Sequence, residues 1–263
     1  MKNNFTSKKP KIRYIDFEHR LINRQFDGFK IIHLSDLHNK EFGKEQSTLL
    51  EMTARLKPDV ILVTGDIIDR RNVNIEKAIQ YFKSAVNIAP VYFSSGNHEH
   101  SFGRFCELKN ELIEIGVNVL DDEAAELKRD DEAISIIGVN DLDFFNNSTD
   151  FKNTINRLSK ETEGFKILMS HKPHKVNVYK DSGVHLVLSG HAHGGQIRLP
   201  IIGGLYAPGQ GVFPRYTSGL YSIGNDVSLI VNRGLGDSVF PWRINNSSEI
   251  ILITLKKLKE QTI

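Results

Sequence analysis

Two histidines in the segment Gly190-His191-Ala192-His193 have the types and spacing that most directly indicate chemistry in this sequence. In an extended backbone, side chains two residues apart point to the same side, so His191 and His193 can face one ligand. Imidazole nitrogens in this arrangement suit a metal ion. A histidine pair at a strand end also occurs as a hydrogen-bonded loop feature, so the pair alone leaves both interpretations open.

Four further polar clusters stand in a similar context, each directly after a short apolar run that predicts a buried strand. They are Asp36-Leu37-His38, Gly65-Asp66-Ile67-Ile68-Asp69-Arg70, Gly96-Asn97-His98-Glu99 and Ser170-His171-Lys172-Pro173. Ligands of α/β proteins bind in the crevice beyond the carboxyl ends of the strands. We therefore expect the five clusters to converge on one site.

The side chains available at such a site form a set of nitrogen and oxygen ligands: Asp36, His38, Asp66, Asn97, His171, His191 and His193. This set suits Mn, Fe, Zn or Co better than Ca, which prefers more oxygens. Seven ligands exceed the need of one ion. Because a carboxylate such as Asp66 can bridge, we expect two divalent or trivalent ions about 3.5 to 4 Å apart. A water between them would lose a proton near neutral pH and become the nucleophile.

The five motifs, in their order along the chain, resemble those of the calcineurin-like metallophosphoesterases. The sequence contains D-x-H, G-D-x-x-D-R, G-N-H-E, an isolated histidine after a strand, and G-H-x-H, which together span Asp36 to His193. Any one motif is common by chance, whereas the ordered set is highly specific. The resemblance implies a binuclear metal-dependent phosphoesterase that hydrolyses a phosphoester or pyrophosphate bond.

The resemblance also implies a role for each ligand position. Asp66 would bridge the ions, and the remaining ligands would divide into one group for each ion: Asp36, His38 and His193 for the first, and Asn97, His171 and His191 for the second. For Asp36 taken alone, a role as an N-cap or turn residue would be more common. The ordered motif series favours the metal role.

Three further residues receive catalytic roles from the same resemblance. His98 would lie beside the scissile phosphate and protonate the leaving oxygen, a task that suits a group titrating near the operating pH. Asp69 would orient His98, and Arg70 would contact the phosphate. Glu99 is expected to hold its loop by hydrogen bonds, and His33 to be structural. The histidines without a motif position are His100, His174 and His185.

The last third of the chain resembles a bacterial branch of this family with members associated with the wall or the membrane. The resemblance rests on Gly194-Gly195-Gln196-Ile197-Arg198-Leu199-Pro200, Leu205-Tyr206-Ala207-Pro208, Ser218-Gly219-Leu220-Tyr221 and Asn232-Arg233-Gly234-Leu235-Gly236. Some members cleave the pyrophosphate bond of a UDP-diacylglucosamine. The resemblance thus implies a phosphorylated small molecule or a lipid-linked substrate, of phosphodiester or pyrophosphate type.

Two alternatives to this function remain. The first is a general small-molecule phosphodiesterase or phosphomonoesterase. The second is a metal-binding scaffold without catalysis, against which the intact Asp66, Asn97 and His98 argue.

A long Gly- and Pro-rich loop is predicted over Gly194–Pro214, and loops of this length inside compact domains are usually functional. Because it begins at two candidate metal ligands, we expect it to form one wall of the substrate cleft. Its apolar residues could form a lip for an acyl chain or a membrane surface, or could pack within the loop: Ile201, Ile202, Leu205, Val212 and Phe213.

Composition limits the function classes. The chain has 263 residues, 40% hydrophobic and 25% charged, so we expect a single soluble globular domain over 1–263, with 1–10 flexible. A formal charge of +2 indicates no nucleic acid partner, and no protein partner is predicted. A single Cys106 excludes an intrachain disulfide.

Lysines gather at both ends of the chain, which predicts solvated termini, with weak contact with a membrane surface as the alternative. They are Lys8, Lys9, Lys11, Lys256, Lys257 and Lys259.

The location follows from the apolar segments. The bacterial branch typically carries an anchor or export signal before its first strand, and this sequence shows neither a signal peptide nor an apolar run of membrane-spanning length. We therefore expect a protein that is cytoplasmic or peripheral to the membrane.

The hydrophobic pattern predicts an α/β fold. Strands are expected over Ile12–Phe17, Phe29–Leu34, Val60–Val63, Val91–Phe93, Ala133–Val139, Lys166–Met169, Val184–Leu188, Leu220–Ile223, Val227–Val231 and Glu249–Leu255. Helices are expected over Lys44–Leu56, Asn74–Val86, Arg104–Ile115 and Phe151–Leu158. Because the second half is rich in strands, we expect two mixed β-sheets packed as a sandwich with flanking helices.

Overall fold

The computed structural model describes residues 9–237 and 243–258, and strands alternate with helices in its first half. The strands are β1 Lys11–His19, β2 Lys30–Leu34, β3 Val60–Thr64, β4 Val91–Ser94, β5 Asn118–Val119, β6 Glu123–Arg129, β7 Glu132–Gly138, β8 Phe165–Met169, β9 Leu186–Ser189, β10 Arg198–Leu199, β11 Gly203–Gly204, β12 Tyr206–Ala207, β13 Gly211–Val212, β14 Gly219–Ser222, β15 Ser228–Val231 and β16 Glu249–Lys257. The helices are α1 Ser47–Leu56, α2 Ile75–Ile79, α3 Phe82–Ala85, α4 Asn97–Phe102, α5 Phe105–Glu114, α6 Ser148–Lys160 and α7 Val176–Tyr179.

The longer strands form two mixed sheets. The first has the order β1-β16-β2-β3-β4-β5, in which only β16 and β2 are antiparallel neighbours. The second has the order β14-β15-β9-β8-β7-β6, in which the two outermost pairs are antiparallel. Strands β2, β3, β4 and β5 of the first sheet end at one edge, as β7, β8, β9 and β15 do in the second. Ligand sites of α/β proteins form at such edges.

Alternation of side chains along the strands builds four layers. Val60 and Leu62 of β3 face the second sheet, whereas Ile61 and Val63 pack beneath helices α1, α2, α3 and α5. In the second sheet, Leu168 of β8 points outward against α6, while its neighbours along the strand face the first sheet. The predicted sandwich of two mixed sheets with flanking helices is therefore confirmed.

Two predicted helices differ in their bounds. The helix predicted over Lys44–Leu56 lacks its first turn, because Glu45 and Gln46 have φ values of 53° and 63° and only a 3₁₀ turn forms there. The helix predicted over Asn74–Val86 is divided into α2 and α3. The backbone at Gln80 stays in the right-handed helical region, so the interruption affects the hydrogen bonding more than the path of the chain.

Elements with a weak apolar pattern were not predicted. Strand β6 is largely exposed because it lies at the edge of the second sheet, and its polar sequence does not alternate. The predicted loop Gly194–Pro214 contains two short antiparallel pairs, β10 with β11 and β12 with β13. Most of the predicted flexible segment 1–10, together with Lys259, lies outside the described residues. Within 9–237 and 243–258, no helix is both long and apolar enough to cross a membrane.

Candidate functional site

The predicted ligands lie at the junctions between strands and the loops that follow them. The junctions follow β2, β3, β4, β8 and β9, and in this order they carry Asp36 and His38; Asp66; Asn97; His171; and His191 and His193. All seven side chains are at most 8% exposed. Since these strands end at one edge of the two sheets, the structure brings the side chains of both sheets together, as the sequence predicted.

The backbone of this site is strained. Asp36, His38, Asp66, His191 and His193 all have φ between 45° and 65°, the left-handed region that residues other than glycine rarely adopt. Such conformations cost about 1–3 kcal/mol each and persist where the surrounding structure enforces them. Here the amide of Asp36 donates to Gly65 O at 3.0 Å, and the amide of His38 donates to Asp66 O at 3.0 Å. The strain is concentrated on the candidate ligands, which is typical of functional sites.

Two motif glycines allow the loops to approach each other. A Cβ on Gly96 would lie 2.3 Å from Asp66 Oδ1, and a Cβ on Gly190 would lie 1.8 Å from Ser35 Oγ. Any side chain at these positions would push the ligand-bearing loops apart. The glycines of G-N-H-E and G-H-x-H are therefore required by packing.

The first group of ligand atoms comprises Asp36, His38 and His193. His193 Nε2 lies 3.3 Å from Asp36 Oδ1 and 3.2 Å from His38 Nε2. His38 Nδ1 lies 3.1 Å from Ile68 O, an acceptor that requires the proton to be on Nδ1. The lone pair of His38 Nε2 therefore points into the group, as it does in metal-binding histidines.

The second group comprises Asp66, His171 and His191. His171 Nε2 lies 3.1 Å from Asp66 Oδ2 and 3.2 Å from His191 Nδ1. His171 Nδ1 donates to Thr64 O at 2.7 Å, which again turns Nε2 toward the group. Asp66 Oδ2 also lies 3.8 Å from His38 Nε2, so this carboxylate stands between the two groups.

The charges of these side chains favour a cation. Burial opposes ionisation of Asp66, but His171 holds the pKa of this carboxyl well below its usual value. Burial also disfavours a charged His171, yet Asp66 raises the pKa of His171 to about 10. Burial lowers the pKa of His193 to about 3 and the pKa of His191 well below its usual value. The ionised Asp66 and the neutral His191 and His193 are in protonation states that bind metal, whereas His171 would have to exchange its proton for the ion.

Asn97 supplies an independent sign of a ligand site. Its Oδ1 atom is buried and has no hydrogen-bond partner among the described residues, which is rare for a buried amide. Asn97 lines the same cavity as Asp66 and His191. An amide oxygen, imidazoles and carboxylates together fit a divalent transition metal ion, so the residues present suit the group that the sequence implies.

His98 is held as a neutral ring whose Nε2–H can donate a hydrogen bond. Its Nδ1 accepts from the amide of Arg70 at 3.2 Å, so the ring proton is on Nε2. Burial lowers the pKa of His98 to about 4, which keeps the ring neutral. The ring lines the cavity, and its Nε2 lies 3.9 Å from Asp66 Oδ2.

Asp69 and Arg70 contact other groups of the protein in this structure. Asp69 Oδ1 is 3.9 Å from His98 Nδ1, beyond hydrogen-bond distance, and its two oxygens accept from the Arg71 guanidinium at 2.9 and 2.7 Å. The Arg70 amide, rather than Asp69, holds His98 in place. The Arg70 side chain lines the cavity and donates to Ser101 Oγ at 3.1 Å. The catalytic roles of Asp69 and Arg70 stay predictions.

Glu99 holds the loop after β3, as predicted. Its carboxylate accepts from the amides of Asp66, Ile67 and Gly96 at 2.7, 2.9 and 2.7 Å. Burial raises its pKa to about 7, and the Asp66 charge adds to this effect. His33 is structural, as predicted, since its Nε2 lies 2.9 Å from Thr64 Oγ1 inside the sheet.

Several residues of the C-terminal region support the site, and among them the sequence had indicated only Asn232, within the segment Asn232-Arg233-Gly234-Leu235-Gly236. Arg243 Nη2 lies 3.4 Å from His193 Nδ1, and Asn246 Nδ2 donates to His193 O at 2.7 Å. Asn232 Nδ2 donates to His33 O at 2.8 Å. Arg243 and Asn246 belong to no motif of known chemistry, so their contacts with His193 could be found only from the folded structure.

A cavity of about 530 Å³ opens directly onto the ligand groups. Its polar side is formed by Asp66, Arg70, Asn97, His98, His191 and His193. Its other wall is formed by residues of the segment Gly194–Pro214, namely Gln196, Ile197, Leu205, Tyr206 and Pro208. The prediction that this segment forms one wall of the cleft is confirmed.

Comparisons with known proteins agree with this geometry. The family model of the calcineurin-like phosphoesterases matches residues 29–195. The chain belongs to the calcineurin-like phosphoesterase family. It is 34% identical over 244 residues to the metallophosphoesterase YkuE of Bacillus subtilis (strain 168), covering 90% of this chain and 82% of YkuE. It is 28% identical over 235 residues to the phosphodiesterase YaeI of Escherichia coli (strain K12), covering 86% and 82%.

Solved structures share the fold of this calcineurin-like phosphoesterase at low identity. The protein TT1561 of Thermus thermophilus has a TM-score of 0.56 at 9% identity, covering 78% of this chain and 89% of its own. The NAD nucleotidase of Haemophilus influenzae has a TM-score of 0.51 at 17% identity, covering 78% of this chain and 45% of its own. These likenesses show the fold alone. Family membership and the His/Asp groups make the chain a metal-dependent phosphoester hydrolase.

Proposed function

We propose that this enzyme hydrolyses a phosphodiester or pyrophosphate bond of lipid or nucleotide-sugar type at a centre of two transition metal ions. The observation that carries the proposal is one cavity with a metal-ligand floor and an apolar wall. The ligands proposed are Asp36, His38 and His193 for one ion, Asn97, His171 and His191 for the other, and Asp66 for both.

The chemistry divides between the ions and the side chains around them. When bound, the ions would neutralise charge on the phosphoryl oxygens and acidify water. His98 presents its Nε2–H to the leaving oxygen, because its Nδ1 is already occupied by the Arg70 amide. Complete transfer of a proton to that oxygen requires the ring first to take up a proton from solvent, since general acid catalysis by histidine uses the imidazolium form. The Arg70 guanidinium, at the rim of the cavity, offers planar donors to a phosphoryl oxygen.

The substrate class follows from the wall opposite the ligands. Leu205 and Tyr206 line the cavity next to exposed apolar side chains on the same hairpins, among them Ile201, Ile202 and Phe213. Apolar surface of this extent is unneeded for a small phosphate ester. It supports a substrate whose phosphate is joined to an apolar group, and a contact of the hairpins with a membrane surface.

A substrate panel tests this function. The Mn-loaded protein would be assayed with an aryl phosphodiester, an aryl phosphomonoester and a UDP-diacylglucosamine. We expect the highest kcat/KM for the acylated pyrophosphate. A preference for the monoester would contradict the proposal and favour a phosphomonoesterase.

The apolar wall has its own test. Replacing Leu205 and Phe213 together with serine should raise KM several-fold for the acylated substrate and leave hydrolysis of the aryl diester nearly unchanged. Ile113→Ser, at an apolar position 50% exposed on α5, is the matched control. Equal effects on both substrates would favour a small-substrate phosphodiesterase, the activity named for YaeI.

A further inference from the structure

A second cavity, separate in its lining from the one above, is strongly cationic. It measures about 490 Å³, within the range of small-molecule sites, and lies among β1, the loop after β2 and the segment around Asn232-Arg233-Gly234-Leu235-Gly236. One acid, Asp237, lines it with five basic residues: Lys9, Lys11, Lys40, Arg233 and Arg243. We propose that this cavity binds a phosphate group, as free phosphate or as the headgroup of a phosphorylated ligand.

The acidic groups nearby are already shared between cations. Lys40 Nζ donates to both oxygens of Asp237 at 3.0 Å, while Arg243 Nε lies 3.6 Å from the same carboxylate. On the other side, Glu249 accepts from Arg13 Nε at 3.0 Å, and Arg233 Nε lies 3.6 Å from it. Two carboxylates are therefore paired with four cationic side chains, and part of the positive charge remains uncompensated.

Two of these cations are largely buried, and each is only loosely paired with a carboxylate. Arg243 has a side chain only 10% exposed, and its Nε is buried without a hydrogen-bond partner among the described residues. Arg233 Nε is in the same condition. Burial lowers the pKa of Arg233, Glu249 opposes this effect, and the neighbouring arginines add to the lowering. Positive charge that is buried and incompletely offset would favour an anion in the adjoining cavity.

The chemistry of the cavity selects a phosphate over a carboxylate. It is lined by two guanidinium groups from the C-terminal region and by three ammonium groups, one from just before β1, one from β1 and one from the loop after β2. A dianionic, tetrahedral group can accept from several of the ammonium groups at once. Both Nη atoms of Arg243 already donate to backbone oxygens, so this guanidinium contributes charge rather than a paired contact. Ser247, Ser248 and Asn245 add neutral polar groups to the lining.

The cavity adjoins the metal-ligand groups through one side chain. Arg243 Nη1 donates to Arg233 O at 2.9 Å, its Nη2 donates to Gly236 O, and the same Nη2 lies 3.4 Å from His193 Nδ1. A variant of Arg243 would therefore disturb both sites. Lys9, Lys11 and Lys40 line only the cationic cavity, and they are the positions to change.

Calorimetric titration of the Mn-loaded full chain with inorganic phosphate is the first arm of the test. We expect two phosphates per chain, one of them on the metal centre. Lys9→Gln with Lys11→Gln, both at exposed positions, should weaken the second binding event on the order of tenfold, because each lost contact is a charge-assisted one. Lys40→Gln should have a similar effect. The inhibition constant of phosphate against hydrolysis should not change.

Vesicles provide the second arm and separate the two sources of phosphate. The protein would be mixed with phosphatidylcholine vesicles with and without about 20% phosphatidic acid, whose headgroup is anionic. If wild type binds the anionic vesicles and the lysine variants do not, the ligand is a lipid headgroup. If wild type binds phosphate in solution but not the vesicles, the ligand is a soluble phosphate. Lys152→Gln with Lys160→Gln, exposed on α6, is the matched charge control. If the cavity variants bind both probes as well as wild type does, the proposal is wrong.

Discussion

Two sets of histidines lie at opposite ends of the sheets, and they differ in what their nitrogen atoms contact. The site histidines, His38, His171, His191 and His193, follow the carboxyl ends of strands from both sheets. The distal cluster lies at the other end, where His19 ends β1 and His185 directly precedes β9. Asp226, just before β15, completes the distal cluster.

In the distal cluster, the polar atoms of His19 and Asp226 are paired with each other and with their neighbours. His19 Nδ1 accepts from Leu21 N at 3.2 Å, and its Nε2 lies 3.0 Å from Asp226 Oδ1. The other oxygen of Asp226 accepts from Arg20 at 2.9 Å. The rings of His19 and His185 pack 4.9 Å apart, as aromatic side chains do in a core.

Among the site histidines, by contrast, pairs of ring nitrogens face each other. His38 Nε2 and His193 Nε2 are 3.2 Å apart, and so are His191 Nδ1 and His171 Nε2. Backbone acceptors fix the far nitrogens of His38 and His171. The comparison teaches that histidine content and burial do not identify a metal site. A metal site is identified instead by ring nitrogens whose lone pairs converge, on rings whose other nitrogen is held by a hydrogen bond.

The largest effect is expected at Asp66, which stands between both ligand groups. Asp66→Ala should lose metal from both and reduce activity by more than about 100-fold, because even outer partners of metal ligands cost 10- to 100-fold. Elemental analysis and turnover would measure this. Asp226→Ala is the control from the distal cluster and should keep its metal. Undiminished metal at both sites in Asp66→Ala would refute a bridging role.

His98 gives the next largest effect. His98→Ala should retain its metal and lose about 10²- to 10⁴-fold in kcat, the range of general acid catalysis. The loss should be smaller for a nitrophenyl ester than for an alkyl ester, since a good leaving group needs no proton. His185→Ala, from the distal cluster, should keep full activity. An equal loss for both esters would show that His98 does not protonate the leaving oxygen.

The sequence was sufficient to predict the sandwich and the convergence of the site. Strands such as Val60–Thr64 are short apolar runs that end in polar residues, so the apolar run and the polar residues after it both indicated them. The ordered motifs indicated which junctions meet. The histidine of G-N-H-E lies near the start of α4, a helix of six residues. The sequence did not predict this helix, because its residues show no apolar periodicity.

The remaining features depend on long-range contacts that no local pattern records. The Arg70 amide, not the Asp69 carboxylate, holds His98, because Asp69 is engaged by Arg71 two residues away. The positive φ of Asp36 is set by hydrogen bonds to the next strand's loop. The position of Arg243 beside His193 joins residues 50 positions apart in the chain.

Disrupting the distal cluster should affect stability alone. Asp226→Asn removes the charge that pairs with His19 and Arg20, but Asp226 has a side chain 41% exposed, so the loss should be at most about 1 kcal/mol. Urea unfolding of the variant would measure it, with Asp131→Asn, on the exposed turn after β6, as the control. Metal content and kcat should equal those of wild type. Loss of metal in Asp226→Asn would contradict this prediction, since it would mean that the distal cluster affects metal binding at the opposite end of the sheets.

The smallest effect concerns the pH dependence of stability at His185. Burial lowers the pKa of this imidazole to about 4, with further lowering by His19, Lys166 and Arg20 and an opposing effect of Asp226. Its neutral Nδ1 accepts from the Lys166 amide at 3.0 Å. Because the unfolded chain binds the proton near pH 6.5, protonation favours unfolding as the pH falls from about 6.5 to about 4.

His185→Gln removes this titration and keeps a side-chain acceptor for the Lys166 amide. Thermal melts should therefore show a smaller decrease in Tm between pH 7 and pH 4 for His185→Gln than for wild type. Loss of metal at low pH affects both proteins equally, so the difference between them isolates the distal cluster. His100→Gln, at an exposed position, should follow wild type. Parallel curves of Tm against pH for His185→Gln and wild type would contradict this prediction. They would mean that His185 has the same pKa in the folded and unfolded states, and that its packing against His19 does not disfavour the protonated ring.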